Sequence, residues 1–241
     1  MNDIMYGCDL STYQGAIDFK KLKNKAEFSI IRAGYGKLTS QKDNRFEEYY
    51  KGCTDNGIHC GAYWYSYAMS EAEAKQEAAA FLEVIKGKRF DMPVYYDVEE
   101  NKQFNLGKSK VSAIVKAFLE TVEVAGYWVG LYSSTSALNS YIADEIKQRY
   151  AVWVAHWGVN APTYSGNYGI WQYTDKGKLD GISGNVDLDY CYIDYPEAIK
   201  TKGLNGYTKP PDSSGNSSGK TITASVTIDG VTYSGTLKEG E

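Results

Sequence analysis

The 241-residue chain is poor in the residues that most metal and nucleophile chemistries require. It has two histidines, His59 and His156, which excludes the common His-rich zinc sites and argues against a serine-histidine triad. Its four cysteines (Cys8, Cys53, Cys60 and Cys191) form no CxxC pair. Cys8 and Cys191 fall in predicted strands, where a free buried thiol is the expectation. No apolar run is long enough to span a bilayer. The N-terminal stretch MNDIMYGCDLS lacks a basic region followed by a long apolar segment, so no secretory signal is expected. There is no phosphate loop or dinucleotide motif. The net charge of −4 gives no footprint for nucleic acid or for an anionic membrane surface. No metal and no organic cofactor is expected.

What the chain does have is tyrosine and a regular order of strands and helices. Strands are predicted over 4–10, 28–36, 61–68, 93–99, 127–134, 151–157, 168–174 and 186–192. Helices are predicted over 16–27, 43–57, 70–86 and 108–125, with a short one after the fifth strand. The helix signals are local. Ser70 opens SEAE, a capping box with Glu73 at the third helical position. Val111, Val115, Phe118, Leu119 and Val122 form one stripe, and Gly57 is a C-terminal stop. Eight strands with early strand-helix alternation predict an α/β fold. It is a TIM-like barrel only partly covered by helices, with its chemistry at the C-terminal ends of the strands.

The stretch YYDVEE (95–100) carries the sharpest chemical signal. In a strand, Tyr95, Asp97 and Glu99 share one face, with roughly 6.6 Å between the Cα atoms of the two acids. Two inward acids are costly unless they have partners or a task, and paired carboxylates are the working parts of glycoside hydrolysis. An exposed strand end with solvated acids is the plain alternative. Asp9, Tyr65, Ser133 and Trp157 also sit near predicted strand C-termini, and Asp187 is a fourth inward acid. Tyr63, Tyr65, Tyr132, Trp153, Trp157, Trp171 and Tyr173 accompany the acids. Their rings are candidates to stack on sugar faces, with core packing as the competing role. His156 is expected to be structural. Arg32 is either a counter-charge for the acids or a surface residue. Asp189, on the face of Asp187, is a candidate secondary contact.

At these residues the sequence resembles the glycoside hydrolase family 25 lysozymes, the muramidases of phage endolysins and bacterial autolysins. The matching segments are DLSTYQG at 9–15, YYDVEE at 95–100, WVAHW at 153–157, IWQY at 170–173 and VDLDY at 186–190. They run in the family's order and cover about residues 4–200. The resemblance implies a flattened eight-stranded barrel with about five helices. It also implies cleavage of the β-1,4 bond between N-acetylmuramic acid and N-acetylglucosamine in peptidoglycan. Glu99 matches the general acid and Asp97 the acid beside it. As nucleophile, or by orienting the substrate's 2-acetamido group, Asp97 would complete the pair. Asp9 and Asp187 match the other active-site acids, and Gln172 of IWQY joins the substrate-binding set. Tyr35 stands where many members carry an acid. With no secretory signal seen, the protein is expected to stay in the host cytoplasm until released at lysis and then to act on the cell wall. A silent carbohydrate-binding barrel and a chitinase-like hexosaminidase are the competing readings.

The composition changes after about residue 203. The catalytic barrel is expected to occupy 1–207. The Pro/Ser/Gly-rich stretch 208–220 reads as a linker, and 221–241 as a β-hairpin turning at Asp229-Gly230. Its alternating apolar positions predict self-association into a homo-oligomer, with a tail lacking fixed structure as the alternative.

Overall fold

The computed structural model describes residues 4–210, 222–228 and 231–237. The chain divides into two compact units, Met1–Lys209 and Pro210–Glu241. In the first, eight strands close a barrel: β1 (Met5–Leu10), β2 (Phe28–Tyr35), β3 (His59–Tyr65), β4 (Val94–Asp97), β5 (Val129–Ser134), β6 (Ala151–Ala155), β7 (Ile170–Gly177) and β8 (Val186–Cys191). Neighbours from β1 to β7 run parallel, whereas β8 is antiparallel to both β7 and β1. The barrel is therefore mixed. A parallel return needs a crossover of about a dozen residues or more, and the loop from Gly177 to Val186 is too short to provide one.

Among the described residues eight α-helices accompany the strands where about five were expected: α1 (Phe19–Leu22), α2 (Phe46–Asn56), α3 (Glu71–Ile85), α4 (Asn101–Phe104), α5 (Lys108–Val124), α6 (Thr135–Ser140), α7 (Asp144–Arg149) and α8 (Tyr195–Lys202). The additions are α4, α7 and α8, each too short to show a helical period. Local chemistry sets the ends of the long ones. Gly57 follows α2 with φ 70°, a left-handed cap. At α3 the Ser70 hydroxyl accepts from the Glu73 amide as the capping box requires. The Glu73 carboxylate reaches one residue further back than the box places it, accepting from the Met69 amide at 2.7 Å and pairing with Lys37.

The strand alternation sorts the core into two layers. Outward residues pack between barrel and helices: Tyr96 of β4 stacks on Phe118 of α5 with centroids 3.8 Å apart. Such pairs add about 0.5–1.5 kcal/mol beyond area burial. Inward residues fill the lumen: Phe28, Ile30, Tyr63, Tyr95, Tyr132, Trp153 and Ile170, with Tyr195 and Ile199 of α8 joining the same cluster. Trp153 is its hub, with Tyr132, Tyr95 and Tyr63 at 4.4, 5.3 and 6.1 Å. Gly130 makes room for this packing. A Cβ there would lie 2.6 Å from the Tyr95 ring.

The outer wall of β7, β8 and β1 carries tyrosines instead. Tyr173 stacks on Tyr190 at 4.3 Å, and Tyr6 meets Tyr190 edge-on at 5.3 Å. All four cysteines are buried and free. Cys8 lies in the outer layer and Cys191 in the inner one, and Cys8 faces Leu188 across the ladder.

The second unit contains two strands, β9 (Ile222–Ile228) and β10 (Val231–Leu237), paired antiparallel from Ile228–Val231 to Leu237–Ile222. The turn residues Asp229 and Gly230 and most of the stretch read as a linker lie outside the described residues. The apolar face expected of the hairpin rests on side chains that also lie outside them.

Candidate active site

The strand register assembles the acids at one end of the lumen. β4 ends at Asp97, whose side chain points inward and is 3% exposed. Glu99 lies beyond the strand rather than within it. The ladder continues for one bond, Val98 N–H to Tyr132 C=O at 3.1 Å. The chain then turns toward α4, with Glu100 as its N-cap. Val98 stays buried in the outer layer, and Glu99 is left exposed above Asp97. The Ser133 hydroxyl fixes this turn from β5 by donating to the Val98 carbonyl at 2.6 Å.

The remaining acids come from the antiparallel seam. Asp9 of β1 faces Asp187 of β8 directly across the ladder, while Asp189 faces Gly7. Like charges directly opposite in an antiparallel pair are destabilising. Gln172 of β7 relieves part of this. Its amide N–H donates to Asp9 Oδ2 at 2.8 Å. Its carbonyl oxygen accepts from Tyr132 O–H and Trp157 Nε1–H, both at 2.9 Å. The amide can satisfy two donors and an acceptor only in this orientation. Gln172 thus holds Trp157, 47% exposed, with its ring at the mouth.

Burial and mutual repulsion push these carboxyls above the ordinary range. For Asp97, burial comes first, then Glu99; the Arg32 guanidinium opposes. For Glu99, an exposed residue whose carboxyl still loses part of its water at the crowded mouth, the order is desolvation, Asp187 and Glu100, with the Tyr132 hydroxyl opposing. Asp9 is raised by burial and by Asp187 and Asp189, against its hydrogen bond from Gln172. Burial lifts Asp187 to about 6, with its contact to Asp9 opposing and Asp175 adding. Asp189 is raised by burial, against its 2.7 Å bond from Trp153 Nε1–H.

Raised folded-state carboxyl pKa values have a stability consequence of definite sign. The folded chain binds more protons than the unfolded one between the ordinary carboxylate pKa and the raised one, so stability falls as pH rises through that window. Melting temperature is expected to decline from about pH 4–5 toward neutrality, with Asp187, at about 6, inside the window. The paired acids Asp91 and Glu47 have lowered values and act below that range. Thermal denaturation at constant ionic strength checks this. A melting temperature that rises steadily through the window contradicts it.

Two cavities open near this end of the barrel, of which one has Glu99 in its lining and the other none of the four acids. One of about 400 Å³ is lined by Glu99, Ser134, Asn139, His156 and Trp157 among others. The other, about 530 Å³, is lined by Tyr13, Arg32, Tyr35, Asp43, Tyr65 and Tyr67 among others. Arg32 is paired with the buried Asp43 at 2.8 Å and lies over the Tyr13 ring. Tyr35 meets Tyr67 edge-on at 6.1 Å. Tyr65 donates to Glu100 at 2.9 Å.

Asp9, Asp97, Glu99, Asp187, Tyr65, Tyr132, Trp157 and Gln172 therefore converge. Tyr63 also faces the lumen and Trp153 lies within it, 1% exposed, as packing beneath the acids. Trp171 does not converge. It is on the outer face of β7 against Tyr190, with its indole N–H on the His156 carbonyl. Tyr173 is also outside. The alternation that turns Gln172 inward turns its neighbours outward. His156 accepts from the Thr163 amide through Nδ1 at 3.1 Å. Asp189 is buried under Trp153 rather than offered at the surface. Sequence reasoning missed Glu100, Asp43 and the tyrosines at 13 and 67. Glu100 was within reach, as the last residue of YYDVEE. No metal-binding cluster of His, Cys, Asp and Glu is found among the described residues, and none of their helices is long and apolar enough to cross a membrane.

The profile of the glycosyl hydrolases family 25 matches residues 8–182. The autolytic lysozyme of Clostridium acetobutylicum is 30% identical over 188 residues, which are 77% of this chain and 55% of that protein. The chain thus spans about half the length of that relative. Among solved structures, the bacterial lysozyme from Streptomyces coelicolor superposes with a TM-score of 0.71 at 26% identity, covering 83% of this chain and 97% of that one. The modular autolysin LytC from Streptococcus pneumoniae, solved in complex with a synthetic peptidoglycan ligand, gives 0.70 at 29% identity over 80% of this chain and 47% of its own. With the closed barrel and the acids at its mouth, these likenesses identify the chain as a member of the glycosyl hydrolases family 25.

Proposed function

We propose that the barrel unit hydrolyses peptidoglycan at the β-1,4 bond between N-acetylmuramic acid and N-acetylglucosamine, acting on the bacterial cell wall. One observation carries the reading. An accessible carboxyl with a raised pKa, Glu99, stands above a buried one, Asp97, and lines a cavity of about 400 Å³ beside the exposed ring of Trp157. Glu99 gives its proton to the glycosidic oxygen as the bond from muramyl C1 breaks. Water then adds to C1, and Glu99 takes back a proton. Asp97 Oδ1 has no hydrogen-bond partner in the protein. That supports a role as acceptor for the substrate's 2-acetamido N–H, which aims the acetamido oxygen at C1. The exposed ring of Trp157 supports stacking on a sugar face. The likeness to an autolysin solved with a peptidoglycan ligand supports the substrate class.

Mass spectrometry of fragments released from purified peptidoglycan by the full chain tests the proposal. Muramic acid is expected at the new reducing ends. Glucosamine ends would make the enzyme a glucosaminidase, and cleavage of chitin in preference to peptidoglycan would make it a hexosaminidase of chitinase type.

A further inference from the structure

Glu77 is a fully buried carboxylate outside the barrel mouth, with no part in the proposed reaction. It lies on α3, and its pKa is raised by burial against bonds from Tyr96, the Tyr67 amide and Ser66. Both oxygens are used: one accepts from the Tyr67 amide at 2.8 Å, the other from the Tyr96 hydroxyl at 2.6 Å. Tyr96 in turn accepts from Ser66 O–H at 2.7 Å, and Ser66 from the Gln103 side-chain N–H at 2.8 Å. Every donor points the same way, from Gln103 through Ser66 and Tyr96 to the carboxylate. Bonds aligned in this manner polarise one another, most strongly when the last acceptor is ionised.

The start of this relay explains its purpose. Gln103 belongs to α4, whose first turn accepts into Glu100: the Gln103 amide donates to the Glu100 carbonyl at 2.9 Å. The second proton of the Gln103 side-chain amide goes to the Ala68 carbonyl at 2.9 Å. The loop after β3 is tied to β4 as well, by Ser66 N–H to Asp97 C=O at 2.9 Å. The turn carrying Glu99 is thus gripped from the β5 side by Ser133 and from the β3 side by Gln103. The grip through Gln103 terminates on Glu77.

We propose that Glu77 is a positioning residue for Glu99, holding the 98–104 turn so that the exposed acid stays over Asp97. The inference rests on the proposed role of Glu99. A displacement of about 1 Å at a reacting group can cost about 10²-fold, so loosening this turn appears in turnover rather than in binding. Glu77→Gln keeps the volume but replaces an acceptor with a donor, leaving either the Tyr96 hydroxyl or the Tyr67 amide unmatched. In the full chain, kcat is expected to fall about tenfold or more, with KM nearly unchanged. The alkaline limb of the kcat/KM profile should move to lower pH as Glu99 gains water. Amide exchange is expected to speed up in 98–104 and not in β5 or β6.

Tyr96→Phe, which cuts the relay without opening a cavity, should do the same and decides the matter if Glu77→Gln fails to fold. Unchanged kcat, pH profile and exchange in a folded variant overturns the inference. So does a fall in activity accompanied by uniformly faster exchange, which marks a general loss of stability. If the wild-type chain leaves peptidoglycan intact, the proposed function fails, and the exchange measurement still tests the grip.

Discussion

Replacing Glu99 by glutamine is expected to lower the rate of peptidoglycan hydrolysis by about 10²–10⁴-fold, the usual contribution of a general acid. Glutamine has nearly the same shape and cannot give up a proton. The side chain is exposed, so the change leaves no cavity. Removing a carboxylate from a crowd that includes Asp187 and Glu100 also relieves repulsion, so melting temperature should hold or rise. Wild-type activity must fall as pH rises through the raised pKa of Glu99, because only the protonated form donates. Turbidity clearing of cell walls, read with a melting curve, checks both halves. Wild-type turnover in the folded variant removes Glu99 from the role.

Asp97→Asn is expected to be nearly as inactive, by about 10²–10³-fold if its charge stabilises the transition state, and measurably more stable. The two effects have one cause. Asp97 is buried beside Glu99 and Glu100 with Arg32 as the opposing charge, and one of its oxygens has no partner. Such a group costs folding free energy that the neutral amide does not, and a destabilised site is the usual companion of activity. Binding of a non-hydrolysed chitooligosaccharide should survive. An N-acetylglucosamine thiazoline, which imitates the product of acetamido attack, should inhibit the wild type and bind the variant poorly. Full activity in Asp97→Asn would shift the role to Asp9 or Asp187.

The legible part of the fold was the part encoded in neighbours along the chain. The strands show as short apolar runs, and α2, α3 and α5 are long enough to show a stripe and a cap. Of the helices that escaped, α8 had left a signal: Asp194 accepts from the Glu197 amide, proline stands in the first turn, and Gly203 closes it with φ 66°. The antiparallel return of β8 was also readable, from a loop too short for a crossover. In the site, alternation placed Tyr95 and Asp97 correctly but carried the strand two residues too far, to Glu99. Strand ends depend on where the chain leaves the ladder, and here it turns toward α4 after Val98 while β5 runs on to Ser134. The same alternation argues that Trp171 and Gln172 cannot both face the sugar. Glu77 was out of reach altogether. Its partners come from α4, β4 and the loop after β3, and no spacing along the sequence brings them together.

The pairing of β1 with β8 joins the first strand of the barrel to the last, and it also makes the site. Asp9 waits for Gln172, 163 residues later, and for Asp187 beyond that. Contacts of such separation form late in folding, because loop-closure entropy is spent before they contribute anything. On a ribosome adding about 5–20 residues per second, every strand through β7 is made before the seam can close. A nascent or truncated chain that stops short of β8 has the proposed acid and no site around it. The proposed hydrolytic competence therefore depends on closure of the barrel, since Asp9, Gln172 and Asp187 meet only across that seam.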